Sequence, residues 1–176
     1  MDPASLRERV REIPDFPRPG IGFKDITPLL LDPAAFGVAV EGLAAPHRHQ
    51  NVDLVVGIEA RGFVFSAPVA HTLGAGLVPI RKPGKLPAAT QSVSYELEYG
   101  KGVLEIHRDA IVPGSRCLIV DDVLATGGTA AAGRSLVESL GGEVIGFAFL
   151  MELGFLGGRA RLGEATPVCA LINYES

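Results

Sequence analysis

Leu118 to Thr129 read LIVDDVLATGGT. An apolar run ends in two adjacent carboxylates, Asp121 and Asp122. A short apolar link follows, then Thr126-Gly127-Gly128-Thr129. The run CLIV shows no polar alternation, which is the pattern of a strand buried on both faces. The next stretch, GTAAAGRSLVESLGG (Gly128–Gly142), reads as a helix closed by Gly141-Gly142. Buried strand, glycine turn and helix in that order make an α/β unit, and ligands of such units bind outside the carboxyl ends of the strands.

The same alternation extends in both directions. VDLVVGI (Val52–Ile58) reads as a buried strand, GFVFSAPVAHTLG (Gly62–Gly74) as a helix despite Pro68, and GLVPIRK (Gly76–Lys82) as another strand. VLEIHRDAI (Val103–Ile111) alternates and so predicts a half-exposed strand. EVIGFAFLME is a strand, GFLGGRARLG a weak helical turn, and VCALINYE a last strand. Near the start, DPASLRERVREI predicts an amphipathic helix carrying Leu6, Val10 and Ile13, stopped by Pro14. PDFPRPGIGFKDITP is too rich in proline and glycine for a regular helix or a central strand. DPAAFGVAVEGLAAPH predicts a helix with Asp32 as N-cap and Pro33 in its first turn. KPGKLPAATQSVSYELEYGKG (Lys82–Gly102) shows no apolar stripe, so it predicts a long loop of the kind that forms lids.

The expected fold is therefore α/β, a mostly parallel central sheet flanked by helices. The 176 residues suit one domain, with an N-terminal hood over about residues 1–33 and a lid over about residues 82–100. A net charge of -4 argues against nucleic acid as a partner. No run is long and apolar enough to span a membrane, and no signal peptide is visible, so the cytoplasm is expected. Cys117 and Cys169 lie in apolar runs and read as small buried hydrophobes.

The chemistry of the opening stretch follows from its parts. Two adjacent carboxylates repel and need partners: sugar hydroxyls, a divalent cation or backbone N–H groups. Gly127 and Gly128 permit close approach of an anion to backbone N–H, Thr126 and Thr129 add hydroxyls, and the helix N-terminus adds its dipole. Acids that seek hydroxyls stand beside a phosphate cradle. A sugar carrying hydroxyls and a terminal phosphate satisfies both.

VDDVLATGGT resembles the phosphoribosyl-diphosphate (PRPP) motif of the type I phosphoribosyltransferases. DFPRPGIGFKDITPLL, GIEARGF and LEYGKGVLEIHRDAI resemble segments of the adenine-specific branch of that family, and the likeness runs from about Ile13 to Glu175. It implies transfer of 5-phosphoribose from PRPP to N9 of adenine, giving AMP and diphosphate in purine salvage, with Mg2+ as cofactor and a homodimer as the assembly. By the same resemblance Asp121 and Asp122 hold the ribose hydroxyls and help place Mg2+, and Ala125, Thr126, Gly127, Gly128 and Thr129 hold the 5-phosphate. Arg61 binds the leaving diphosphate, joined by Lys82 and Lys85 from the IRKPGK strand end. Phe23 stacks on adenine, backbone groups around Gly22 and Lys24 read the purine edge, and Leu153 covers the opposite face. Glu98 is the implied acid–base residue, with Glu96 as its competitor, and Tyr99 positions the lid. The family often carries a branched residue at the position of Gly22 and arginine at that of Lys24, so this chain departs from the pattern at its base site.

Other signals are set aside. GTAAAGRS has nearly a Walker A spacing, but arginine replaces the lysine and the stretch falls inside the helix. His47 and His49 follow a proline and read as surface residues, and His71 and His107 are single. Two alternatives share the acidic pair and phosphate loop: a relative acting on xanthine or guanine, and a non-catalytic regulator that senses PRPP or nucleotide.

Overall fold

The computed structural model describes residues 3–96 and 101–175. In chain order its elements are β1 (Arg11–Ile13), β2 (Phe23–Asp25), α1 (Thr27–Leu31), α2 (Pro33–Ala44), β3 (Leu54–Ile58), α3 (Gly62–Leu73) and β4 (Gly76–Ile80). There follow β5 (Thr90–Glu96), β6 (Lys101–His107), β7 (Arg116–Leu124), α4 (Gly128–Ser139), β8 (Glu143–Leu153), α5 (Gly158–Leu162) and β9 (Val168–Tyr174). The central sheet has five strands in the order β4-β3-β7-β8-β9, all parallel. Two antiparallel ribbons, β1-β2 and β5-β6, lie outside it, the second bridged to its edge where Arg81, just after β4, pairs with Glu105 of β6.

Strand periodicity explains the continuous apolar runs. Val55, Leu118, Val120 and Ala148 point into one core with Leu43 of α2 and Phe65 of α3. Their neighbours Val56, Ile119, Phe147 and Phe149 point into a second core with Leu136 of α4 and Ile106 of β6. Most residues of the three inner strands are thus buried on one side or the other, as expected for a parallel sheet covered on both faces, while the edge strand β4 exposes Leu77. Asp32 caps α2 by accepting from the N–H groups of Ala34 and Ala35. Gly74 ends α3 at φ 67°, where glycine carries no Cβ penalty.

Several expectations change. The first segment is not one helix: Pro3–Arg9 form a 3-10 turn, and Arg11–Ile13 pair instead with Phe23–Asp25. Complementary charge favours that pairing, since Arg11 meets Asp25 at 2.6 Å and Glu12 meets Lys24 at 2.9 Å. The expected long loop is partly strand. From Thr90 its even spacing of Val93 and Tyr95 presents an apolar face that packs on the second core. β7 does not stop at Val120. It continues through both aspartates to Leu124, because β8 is long enough to keep pairing with it. His47 is buried rather than superficial, its Nδ1 3.0 Å from Gln50 Oε1. Cys117 is buried and its thiol is pushed up to about 11 by burial, whereas Cys169 is only half-buried.

Candidate active site

β3 pairs with β7 only as far as Gly57 opposite Val120. Beyond that point β7 runs on with β8 alone, so Asp121 and Asp122 lie in the crevice where β3 has turned away into the Glu59-Ala60-Arg61 segment. The Glu59–Ala60 peptide is cis. A cavity of about 330 Å³ opens there, lined by this segment, the two aspartates and the loop from Ala125 to Thr129.

The two aspartates differ. Asp122 is buried and its Oδ2 lies 2.6 Å from Arg61 Nε. Asp121 Oδ1 accepts from the Asp122 N–H at 2.9 Å and fills the space beside Gly62, where a Cβ would come within 2.6 Å of it. Burial and the neighbouring Asp122 charge hold the Asp121 carboxyl well above the usual carboxylate range. Burial raises Asp122 as well, against the opposing pull of the Arg61 guanidinium. A pair in this condition gains from any cation or hydroxyl donor that enters the cavity.

The expected phosphate loop is built by close backbone packing. Gly127 takes φ 79° and precedes the first residue of α4, so the first turn of that helix lines the cavity with no side-chain cap. A Cβ on Gly158 would stand 2.1 Å from the Ala125 carbonyl oxygen and 2.9 Å from the Gly127 nitrogen. The first turn of α5 therefore rests directly on the loop. Arg159 secures this turn through both oxygens of the buried Glu152 and through the Val168 carbonyl at 2.9 Å. On the other side, Glu96 and Tyr95 of β5 approach Gly128, where a Cβ would meet the Glu96 carbonyl at 3.0 Å.

Of the expected diphosphate residues, Lys82 and Lys85 meet in one cluster, Lys82 through its backbone N–H. Glu59, nearly buried, binds Lys85 Nζ, accepts from the Lys82 backbone N–H at 2.9 Å and lies 3.3 Å from Arg81 Nε. The Lys85 ammonium and the Lys82 N–H hold its carboxyl down to about 2. Arg61 stands away from this cluster, between Asp122 and the Phe23 ring, whose centroid is 5.0 Å from the guanidinium carbon. Sequence reasoning placed Arg81 beside Lys82 and Lys85 at a strand end but gave it no role, and it did not single out Glu59. The signal for Glu59 was its place beside Arg61 at a strand end.

A second cavity of about 360 Å³ adjoins the first and shares Arg61, Asp122, Val123 and Ala125 with it. Gly22, Phe23, Lys24 and Leu153 all line it, so the four expected base-site residues come together. Met151, Phe155 and Leu156 complete its apolar wall. The last two were hidden in a stretch read only as a weak helical turn. Phe16 meets Phe23 edge to face at 5.1 Å. Glu98 and Tyr99 lie outside the described residues.

An acidic pair and a glycine phosphate loop at the edge of a parallel sheet define a class. The family model for the phosphoribosyl transferase domain matches residues 30–162. Adenine phosphoribosyltransferase of Chloroflexus aurantiacus is 57% identical over 169 residues, covering 96% of this chain and 97% of the relative. The crystal structure of adenine phosphoribosyltransferase from Thermoanaerobacter pseudethanolicus superposes with a TM-score of 0.95 at 53% identity, over 98% of this chain and 100% of that one. The Saccharomyces cerevisiae enzyme, complexed with an imino-altritol bisphosphate and adenine, gives 0.89 at 40% identity, over 96% and 97%. The chain belongs to the adenine phosphoribosyltransferase family.

Proposed function

We propose that this chain transfers the 5-phosphoribosyl group of PRPP to N9 of adenine, giving AMP and diphosphate in purine salvage. The observation that carries this reading is the shared wall of the two cavities: an anion- and hydroxyl-binding cleft opens beside an apolar slot of purine size. The yeast relative was captured with adenine and a sugar bisphosphate mimic together, a ligand pair that these two cavities suit.

In this reading Ala125 to Thr129 hold the 5-phosphate through backbone N–H groups and hydroxyls. Asp121 and Asp122 take the ribose hydroxyls. Phe23 and Leu153 sandwich the base, and the open backbone edge around Gly22 and Lys24 reads it. Arg61 steadies the departing diphosphate, joined by Lys82 and by Lys85 once its ammonium is released from Glu59. Glu98 exchanges the proton that adenine must manage. Closure of the segment over about residues 82–100, with Tyr99 in it, keeps water from PRPP.

Asp121 and Asp122 are adjacent carboxylates in the wall of the first cavity, hard oxygen donors that would fit Mg2+ arriving with PRPP oxygens. Bound there, Mg2+ supplies positive charge to the diphosphate. A homodimer in the cytoplasm completes the reading by likeness to the family. Among the described residues no helix is long and apolar enough to cross a membrane.

The test is to mix the protein with PRPP, Mg2+ and one base at a time, adenine, hypoxanthine, guanine, xanthine or orotate, and follow nucleotide and diphosphate. AMP from adenine alone is expected. Turnover with another base would keep the PRPP cleft and reject the base slot as an adenine reader. Tight PRPP or nucleotide binding without turnover would point to a regulator.

A further inference from the structure

Glu12 has no part in that reaction scheme, yet both departures at the base site meet at its carboxylate. It lies on β1 opposite Lys24 on β2. Its Oε2 is 2.9 Å from Lys24 Nζ. Its Oε1 sits beside Gly22, where a Cβ would come within 2.9 Å of that oxygen. The carboxylate thus occupies the room that a branched side chain at position 22 would take.

Lys24 explains why the contact matters. Its side chain is only 13% exposed, and its ammonium lies 4.5 Å from the centroid of the buried Tyr174 ring. Arg7 places its guanidinium over the same ring, also at 4.5 Å. Two cations therefore share one aromatic ring at the edge of a small polar cavity behind the base slot. A largely desolvated ammonium needs a counter-charge. Among the described residues Glu12 is the carboxylate that pairs with it. Lys24 lines both this rear cavity and the base slot, so the direction in which its side chain is drawn fixes the strand in front. β1 and β2 share three residue pairs, tied at the other end by Arg11 to Asp25, and a two-stranded ribbon is marginal by itself, so each cross-strand tie counts.

We infer that Glu12 is a positioning residue of the base site. One carboxylate oxygen draws Lys24 behind β2, the other fills the space over Gly22, and together they hold the β2 backbone against the purine edge. This rests on the base-site reading above, in which backbone groups around Gly22 and Lys24 recognise adenine.

The experiment is steady-state kinetics with adenine and PRPP varied separately, for the wild type, Glu12→Ala, Gly22→Val, Glu12→Ala with Gly22→Val, and Phe23→Ala. Glu12 has a largely exposed side chain, so its removal leaves the cores intact. Glu12→Ala should raise the adenine KM about fivefold while kcat and the PRPP KM stay within about twofold. Gly22→Val alone should also raise the adenine KM, because its Cβ meets Oε1. The double variant should recover most of the loss, since the valine then occupies the vacated space. An unchanged adenine KM in Glu12→Ala, a parallel rise in both KM values, or failure of the double variant to recover would each overturn the inference. Phe23→Ala separates the two layers. If it raises the adenine KM and Glu12→Ala does not, only the role of Glu12 fails; if it too has no effect, the base-site reading fails.

Discussion

Arg61 holds Asp122 at 2.6 Å through Nε and with the same guanidinium covers the Phe23 ring at 5.0 Å. One side chain therefore spans the wall between the ribose-side cleft and the base slot. A planar fork can bond in its plane and stack on its face at once, which an ammonium cannot do. Arg61→Lys should raise the KM for adenine and for PRPP together, each by about tenfold, whereas Phe23→Ala should act on adenine alone. Initial-rate measurements over both substrates decide it; a rise in one constant only for Arg61→Lys would show that the shared wall is not functional.

The buried charge of Asp121 should cost the fold stability. Burial and Asp122 raise its carboxyl well above the ordinary 3.8. The folded chain then binds more protons than the unfolded one, so stability falls as pH rises from the unfolded value through the folded one. The penalty is absent in acid and reaches its full size only above the folded value. Asp121→Asn keeps the acceptor for the Asp122 N–H and removes the charge. It should stabilise the protein at neutral pH by about 1–2 kcal/mol, a few degrees in Tm, while abolishing PRPP turnover. The gain should shrink as pH falls toward 3.8. Thermal unfolding across pH checks this, and a Tm below that of the wild type at neutral pH would refute it.

Gly158 predicts a separable defect in the phosphate loop. A methyl group there cannot fit 2.1 Å from the Ala125 carbonyl, which is backbone and can move only with the loop. Gly158→Ala should cost about 1–3 kcal/mol of stability and raise the PRPP KM by roughly tenfold or more, with the adenine KM little affected. Isothermal titration with each ligand gives the split directly. Equal losses for both ligands would mean that the change had spread through the domain.

Much of this was legible from residue order. The buried strand that carries Asp121-Asp122, the Thr126–Thr129 turn and the helix after it needed only local pattern, because each local preference agrees with the fold. Asp32 as a cap and Gly74 as a stop were legible for the same reason. What escaped depends on partners distant in sequence. Arg11–Ile13 became a strand because Phe23–Asp25 offered an edge and matching charges, which no helical periodicity reveals. Val93 and Tyr95 formed a buried face only because α4 and β6 were there to receive it. The hold of Glu59 on Lys85 crosses from one strand end to the next, and the hold of Glu152 on Arg159 depends on how α5 returns to β8.

Glu59 gives the last prediction, and its sign is opposite to that of Asp121. The hydrogen bond from Lys85 is the largest cause that lowers its carboxyl from 4.5 to about 2, followed by the Lys82 N–H and the charges of Lys85 and Arg81. The folded chain binds fewer protons here than the unfolded one. The cluster therefore contributes stability fully above 4.5 and loses it as pH falls through about 2. Glu59→Gln keeps the shape and removes the charge, so it should lower stability at neutral pH by about 1–2 kcal/mol. The difference from wild type should close as pH falls from 4.5 to about 2. Denaturant unfolding at a series of pH values measures that closure, and a constant difference down to the lowest pH would show that the variant acts through packing rather than charge. The same variant leaves Lys85 without its carboxylate partner, so diphosphate should inhibit it at lower concentrations than the wild type; weaker inhibition would mean that Glu59 orients the cations for the anion instead of competing for them.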